Sequence, residues 1–233
     1  MWPFTRRYEV SDQTIDWLRD SFDWAIRLGL LTTRTPLVTL SKEFFTAPSS
    51  RSPDFAACLV RDIQRILGIA QAEIDVLPLD QIDARFRHDY QSLAAIGGTW
   101  QGDGNAAVIH YSRDHLDQPM TFVAILAHEV MHHVLRGLPD LPPGGAEAEE
   151  LSTDLHCITM GFGLFQLAGA EAVGWSGYLR QPTRAHALAM FLRLRGLDEA
   201  KALSALPPRS AGLLRASLAW IDRHDPGLRG RLV

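Results

Sequence analysis

The chain has few of the features that mark secreted or nucleic-acid-binding proteins. Among its 233 residues are two cysteines, Cys58 and Cys157, which do not form a C-x-x-C pair, so a disulfide framework is not expected. The formal net charge of −4 gives no overall attraction to nucleic acid or to an anionic membrane. Lys42 and Lys201 are the only lysines, and we interpret the excess of arginine as a compositional bias.

Long apolar runs are also missing. Residues 1–9 lack the apolar stretch of a secretory signal. The longest apolar run, 157–170, is interrupted by Gln166 and by glycines and is too short to span a bilayer. These absences predict a soluble cytoplasmic protein with neither nucleic-acid nor membrane partners, and they leave its oligomeric state open.

The chain does contain enough apolar sequence to bury a core. Hydrophobic residues make up 46% of it, and one domain over residues 1–233 is natural at this length. Within that domain we expect a helical or mixed flank over 1–95, a core that carries the functional site over 96–170, and a helical extension over 171–233.

Hydrophobic periodicity predicts mostly helices. Apolar residues recur at helical spacing in several stretches outside the candidate site. These stretches are 11–30, 53–68, 183–194 and 210–223. Strand patterns are fewer: residues 73–79 alternate, and residues 97–111 are typical of a β-hairpin with its turn at 102–105. The segment 81–95 could be helical or irregular.

The stretch 126–133 contains the pattern H-E-x-x-H within an apolar sequence. His128 and His132 are four positions apart, so on a helix they lie on one face, where both imidazoles can bind the same Zn²⁺. Glu129 would lie beside the water on that metal and accept its proton. His133 would point about 100° away from His132 and is expected to be structural or solvent-facing. The alternative is an ordinary helix with surface histidines.

A second acidic pattern, E-x-x-x-D at Glu150 and Asp154, follows 18 positions after His132. Zinc hydrolases with two histidines on one helix usually complete the site with a carboxylate from a second helix. One turn beyond Glu150, Asp154 is placed to accept the second N–H of a ligand histidine. Glycines and prolines over 137–145 indicate the loop between the two helices.

Together these patterns resemble the gluzincin-type zinc metallopeptidases of the minimal-domain kind. The resemblance implies an α+β, predominantly helical fold, in which a zincin-like core with a small β-hairpin or sheet is flanked by helices. It also implies His128, His132 and Glu150 as the ligands of one Zn²⁺ per chain, Glu129 as the general base and Asp154 as the support of a ligand histidine.

The resemblance covers roughly residues 95–170 and departs from related patterns at two points. Leu135 and Leu138 stand where the metzincin pattern requires glycine and histidine. The downstream histidine with a preceding aspartate, which stabilises the oxyanion in part of the gluzincin clan, is not found. The transition-state stabiliser is therefore unassigned.

Three further residues are candidates for transition-state or substrate contacts. Tyr178, in a loop over 175–182, could donate a hydrogen bond to an oxyanion. His110 and Tyr111 lie on the strand before the H-E-x-x-H helix, and the resemblance implies that this strand is the sheet edge where an extended peptide binds. They alternate along the strand, so only one can face the cleft. Ordinary strand roles are the alternative for both.

The second site helix is expected to continue beyond Asp154 through residue 167. Within it, Gly161 and Gly163 could allow the two site helices to approach closely. His156 is off the face of Asp154 and is not expected to bind the metal, and His186 is expected to be structural.

The sequence therefore predicts a zinc-dependent metalloprotease, a hydrolase whose substrate is a peptide or protein. The alternative is a zinc-binding regulatory or interaction protein with little or no turnover on the same scaffold, and a third interpretation is a helical protein without metal. Glu129 favours the enzyme, because a non-catalytic zinc site does not need it. Whether the C-terminal helices cover the cleft also bears on the choice.

Overall fold

Helices make up most of the fold, and a small sheet completes it. A computed structural model describes residues 8–48, 52, 54–79, 98–102, 106–172 and 177–232. The helices are α1 (Asp12–Arg27), α2 (Phe55–Leu67), α3 (Pro119–Arg136), α4 (Glu149–Cys157), α5 (Gly163–Ala172), α6 (Gln181–Leu194), α7 (Glu199–Ser204) and α8 (Pro208–His224). The strands are β1 (Glu73–Pro78), β2 (Gly98–Gly102) and β3 (Ala106–Tyr111).

This architecture confirms the predicted α+β, predominantly helical class. Local signals explain several boundaries: Ser11 caps α1 by accepting a hydrogen bond from the backbone N–H of Thr14 at 3.2 Å, and α2 ends where Gly68 adopts a φ of 77°. The segment 81–95 and the hairpin turn at 103–105 lie outside the described residues. Within the described part of the chain, no helix is both long and apolar enough to cross a membrane.

The sheet has the strand order β1-β3-β2. The predicted hairpin is present, with β2 antiparallel to β3, and β1 pairs parallel to β3 on its other side. The expectation that the strand before the H-E-x-x-H helix forms an edge is therefore wrong, because β3 is hydrogen-bonded on both sides. Among the described strands, β2 is the edge that packs on α3.

The predicted second site helix is broken. Residues Ile158–Phe162 form a π-type turn between α4 and α5, with Gly161 at a φ of 99°. A Cβ on Gly161 would lie 2.2 Å from the carbonyl oxygen of Pro36, and the carbonyl of Gly161 accepts a hydrogen bond from the N–H of Val38 at 3.0 Å. Only glycine fits this left-handed, crowded position. The break therefore attaches the N-terminal segment 36–38 to the site helix.

The close approach of the site helices uses a different glycine from those expected. Gly163 contacts Leu188 of α6, and Gly161 contacts Pro36, so neither faces α3. Gly169 on α5 does, because a Cβ there would lie 2.9 Å from the carbonyl oxygen of Met120. The small residue at the close approach is thus Gly169, six positions beyond Gly163 on the same helix.

The helix α3 lies at the centre of the packing. It contacts α2, α4 and α5, together with strands β2 and β3. Apolar side chains from α1, α2, α3, α5, α6 and α8 form one buried cluster around it. Burial of apolar surface on this scale is the main stabilising contribution to the fold, and it holds the H-E-x-x-H turn of α3 rigidly below the surface.

Candidate metal centre

The buried part of α3 presents His128, Glu129 and His132 within little more than one helical turn. Their relative exposures are 6%, 3% and 8%, which is unusual for polar side chains without partners. The helix α4 approaches this turn and brings Glu150 from its first turn and Asp154 from its middle. The i, i+4 spacing on each helix therefore places His128 with His132, and Glu150 with Asp154, on the facing sides, as the two sequence patterns predict.

Three potential ligand atoms form a compact triangle. Nε2 of His128 lies 3.2 Å from Nε2 of His132 and 3.1 Å from Oε2 of Glu150. The third side, from Nε2 of His132 to the same Oε2, is 3.4 Å. This group of residues could hold a metal ion.

The dimensions of the triangle fit a tetrahedral ion. Bonds of about 2.0–2.1 Å in a tetrahedral zinc site place neighbouring ligand atoms about 3.3 Å apart. The three measured separations of 3.1, 3.2 and 3.4 Å bracket that value. Two histidines and one carboxylate also leave the fourth position of a tetrahedron open, which is the arrangement of catalytic rather than structural zinc sites.

Asp154 fixes the orientation of His128. Its Oδ1 lies 2.9 Å from Nδ1 of His128, which leaves Nε2 of that ring to face the triangle. Its Oδ2 accepts hydrogen bonds from Arg184 at 2.7 Å and from the backbone N–H groups of Tyr178 and Leu179 at 2.8 and 3.0 Å. A carboxylate on the far nitrogen of a ligand histidine is a regular feature of metal sites.

Arg184 on α6 is a site residue that the sequence analysis missed. Its side chain is almost completely buried, and besides Asp154 it donates a hydrogen bond to the carbonyl of Gln166 at 3.1 Å. One sequence feature could have indicated its role: apolar residues occur on all sides of α6, which is typical of a helix that is buried on every side. A charged residue in such a helix needs a buried partner, and Asp154 is that partner.

The loop before α6 also contributes to the site through a glycine. Gly177 has a φ of 93°, and a Cβ there would lie 2.1 Å from Nη2 of Arg184 and 3.1 Å from Oδ2 of Asp154. Glycine therefore allows the loop backbone to pass directly over this ion pair. The next two N–H groups then reach the Asp154 carboxylate.

His132 is supported differently. Its Nδ1 lies 3.5 Å from the hydroxyl of Thr153 and 3.6 Å from Oε1 of Glu149. Glu149 also accepts a hydrogen bond from Arg136 at 3.1 Å, and the Arg136 guanidinium lies over the Trp100 ring at 4.5 Å. The contacts that support His132 are thus longer and more exposed than the contact between Asp154 and His128. Through Arg136 and Trp100 they also connect to the edge strand β2.

The ionisation of the site follows from these contacts. Burial alone lowers a histidine pKa, but hydrogen bonds with Asp154 and Glu150 raise the pKa of His128 to about 10. Burial alone raises a carboxyl pKa, but hydrogen bonds with His128 and His132 lower the pKa of Glu150 to about 2. Burial would also raise the pKa of Asp154, but Arg184 and His128 hold that pKa well below its usual range. The neighbouring carboxylates thus favour positive charge at the triangle, which either a proton on His128 or a bound cation can supply.

Glu129 lies beside the triangle and outside it. Burial raises its pKa, partly offset by the two histidines. A Cβ on Gly98 would lie 3.1 Å from Cγ of Glu129, so glycine at the start of β2 makes room for this side chain. Glu129 and His128 line a chamber of about 30 Å³, which has room for about one water molecule.

The three residues predicted to contact the transition state or the substrate lie at different distances from the triangle. The Tyr178 ring stacks on the His128 ring at 5.9 Å, beside the site. Tyr111 is on the face of β3 that meets α3, but it is buried against Phe122 at 5.5 Å. His110 is half-buried on the opposite face. Of these three candidates, the structure brings only Tyr178 to the metal-binding residues.

Two histidines outside the triangle, His156 and His186, have structural surroundings. His156 is completely buried against Trp24, and burial lowers its pKa to about 3. His186 is buried beside Tyr8, and burial, together with Arg19, lowers its pKa to about 4. Both are therefore neutral at physiological pH.

Compared with known proteins, the chain matches no protein-family model, no curated protein and no solved structure. The assignment of a function therefore depends on the geometry and chemistry of the site.

Proposed function

We propose that this protein is a zinc-dependent peptide hydrolase of the gluzincin type. In this proposal His128, His132 and Glu150 hold one Zn²⁺, Glu129 is the general base, and the substrate is a peptide or protein. The observation that carries the proposal is the ligand triangle of tetrahedral dimensions with a buried carboxyl group beside it. A Zn²⁺ ion bound there would supply a Lewis acid that polarises a carbonyl group and acidifies water.

Glu129 is suited to move the proton. Its carboxyl group is buried, and its raised pKa brings it closer to the operating pH, where a general base is most effective. It shares the water-sized chamber with His128, so a water molecule there is within reach of both side chains. In the proposed reaction Glu129 accepts the proton of that water and passes it to the leaving amine.

Tyr178 is our candidate for the missing oxyanion donor. Burial and the neighbouring carboxylates, Glu150 first among them, raise its pKa to about 12, so its hydroxyl keeps its proton at neutral pH. Its ring stacks on His128, which orients it at the edge of the triangle. A neutral O–H at this place can donate to developing negative charge.

One observation favours the alternative, a zinc-binding regulatory or interaction protein. The chamber behind His128 has room for about a water molecule, and Gly177 and Tyr178 from the C-terminal part help to close it. A peptide carbonyl would instead have to approach from the side of Glu150, whose side chain is 41% exposed.

The test compares Glu129→Gln with wild type and with Glu147→Gln, an exposed carboxyl three positions before Glu150. Zinc content and hydrolysis of a peptide library are measured for all three proteins. We expect all to bind one zinc per chain, and Glu129→Gln to lose on the order of a hundredfold in activity or more, because the base is removed while its shape is kept. Glu147→Gln should match wild type.

Each contrary outcome has a distinct meaning. Equal cleavage by wild type and Glu129→Gln would exclude Glu129 as the base. A zinc-loaded wild type that cleaves nothing in broad libraries would favour the regulatory alternative. Loss of zinc from Glu129→Gln would show that this residue is needed for the ligand set itself.

A further inference from the structure

The helix α4 carries polar pairs on two opposite faces. Glu150 and Asp154 face α3, and Ser152 and His156 each follow two positions later, which on a helix is about 200° away. This second face meets α1, because the His156 ring packs against the Trp24 ring with centroids 4.9 Å apart. The candidate metal centre uses only the first pair.

The face of α1 that meets α4 is polar as well. Ser21 and Trp24 lie one turn apart on it, and both are almost completely buried, as are Ser152 and His156 on α4. Each of the four has a buried polar atom that no described residue hydrogen-bonds. These atoms are Oγ of Ser21, Nε1 of Trp24, Oγ of Ser152 and Nε2 of His156. Buried polar atoms are costly when they have no hydrogen-bond partner, so this interface calls for one.

A neighbouring contact shows how the two helices are aligned. The indole N–H of Trp17, seven positions before Trp24, donates a hydrogen bond to the carbonyl of Pro143 at 2.9 Å. Trp17 thus meets the chain just before α4 and Trp24 meets the end of α4, so the two helices run side by side in the same direction. Ser21 and Ser152 fall between these two contacts. The four polar atoms therefore belong to one stretch of the α1–α4 interface.

Thr159 determines which nitrogen of His156 carries the hydrogen. The Thr159 hydroxyl donates its one proton to the carbonyl of His156 at 3.1 Å, so towards Nδ1 at 3.2 Å it can only accept. Burial lowers the pKa of His156 to about 3, so the ring is neutral and Nε2 keeps a free lone pair. The indole nitrogen of Trp24 is a donor only. The interface thus holds an acceptor and a donor on two rings that touch but do not hydrogen-bond to each other.

We propose that an internal water molecule is bound between α1 and α4, where it accepts a hydrogen bond from Trp24 and donates one to His156. The hydroxyls of Ser21 and Ser152 complete its surroundings, since a buried water makes about three hydrogen bonds. A water molecule fits because it both donates and accepts, whereas an ion would find no opposite charge among these four neutral side chains. The water holds α1 to the face of α4 opposite Glu150. The site requires neither a metal nor hydrolase activity.

The test is water-selected NOE and ROE spectroscopy on the full, ¹⁵N-labelled chain, measured with and without a chelator. NOEs to the ring protons of His156 identify the indole N–H of Trp24, so the assignment needs no variant. We expect a cross-peak between this N–H and water, with the signs of a long-lived bound molecule rather than of chemical exchange. Trp17 is the matched control within the same helix. Its indole N–H bonds directly to a protein carbonyl and should show no such cross-peak.

One variant separates water from the serine hydroxyls, whose exchanging protons can give a similar signal. The double substitution Ser21→Ala and Ser152→Ala removes both hydroxyls, and alanine is well tolerated in helices. The cross-peak should persist, because the water keeps its bonds to Trp24 and His156.

Three results would overturn the proposal. The first is the absence of the water cross-peak at Trp24, and the second is its loss in the double alanine variant. The third is a scalar coupling between Nε1 of Trp24 and Nε2 of His156, which would show that the two rings bond directly. None of these results depends on zinc binding or on peptide cleavage, so the water site and the proposed function stand or fall separately.

Discussion

The two histidines of the ligand triangle are held in contrasting ways. His128 faces Asp154, whose other oxygen is occupied by Arg184 and two backbone N–H groups in the interior. His132 faces Thr153 and Glu149 at 3.5 and 3.6 Å, and the Glu149 side chain is 43% exposed. One ligand is thus supported by buried charge and the other by longer contacts near solvent.

This difference separates a rigid side of the site from an adaptable one. A buried ion pair holds its geometry strongly, because removing one partner leaves an uncompensated charge in the interior. An exposed pair such as Arg136–Glu149 contributes little, since water and salt screen it. We therefore expect substitutions on the His128 side to affect stability and metal binding more than substitutions on the His132 side.

The largest effect is expected for Arg184→Met. This change removes the Arg184 cation from the buried Asp154 carboxylate, which keeps only His128 and two backbone N–H groups, and should lower the free energy of unfolding by about 3–5 kcal/mol. Arg136→Met removes the corresponding arginine from the exposed side and should cost no more than about 1 kcal/mol. Urea unfolding of the metal-free proteins measures both, and equal losses would contradict the comparison.

Acid should reduce the difference between wild type and Arg184→Met. In wild type the pKa of Asp154 is lowered, so its stabilisation is present above its unfolded pKa of about 3.9 and is lost as pH falls through the folded value. Without Arg184 the pKa of Asp154 rises, and protonation relieves the buried charge at a higher pH. A difference in unfolding free energy that stays constant from pH 7 to pH 4 would exclude this explanation.

A smaller effect is expected for Asp154→Asn on metal affinity. The amide keeps the shape of the side chain but cannot stabilise the N–H of His128 as a carboxylate does, so zinc affinity should fall about 10- to 100-fold. Competition with a chelator measures it, under conditions where circular dichroism shows the variant folded. Unchanged affinity would mean that the contact at 2.9 Å does not position the ligand.

The smallest effect is expected for Thr153→Val, the corresponding change on the His132 side. Valine keeps the volume and removes a hydroxyl that lies 3.5 Å from Nδ1 of His132, a weak contact. We expect a loss of zinc affinity well below tenfold, measured in the same competition. A loss as large as that of Asp154→Asn would show that both histidines are held equally firmly.

The contrast also marks how far the sequence could predict this site. The two histidines follow from i, i+4 spacing within one helix, and Glu150 follows from the carboxylate that zinc sites of this kind usually take from a second helix. The three residues are confirmed as a group that could hold a metal. The pairing of Asp154 with Arg184 joins two helices 30 positions apart, and no periodicity encodes it. Backbone donors such as the N–H of Tyr178 have no sequence signal, because every non-proline residue has one.

In the fold, too, features with a local sequence signal were predicted and features that depend on non-local contacts were not. The positions of the strands and of α1, α2, α6 and α8 followed from periodicity, whereas the short α7 was not predicted. The central place of β3 depends on its parallel pairing with β1. That pairing is a non-local contact with no local sequence signal, so the edge position that the family resemblance implied for β3 was wrong. The break at Gly161 was similarly hidden, because a glycine within a helical pattern is compatible with close packing as well as with a left-handed turn.

The left-handed turn at Gly161 has a consequence for the order in which the chain assembles. The ligand triangle joins residues no more than 22 positions apart, but the hydrogen bond from Val38 to Gly161 spans more than half of the chain. Closing the longer loop costs more entropy, and residue 38 leaves the ribosome long before its partner. We expect α3 and α4 to meet first and the N-terminal segment to dock last. In a refolding experiment with pulsed hydrogen exchange, the amide of Val38 should become protected after those of the two site helices.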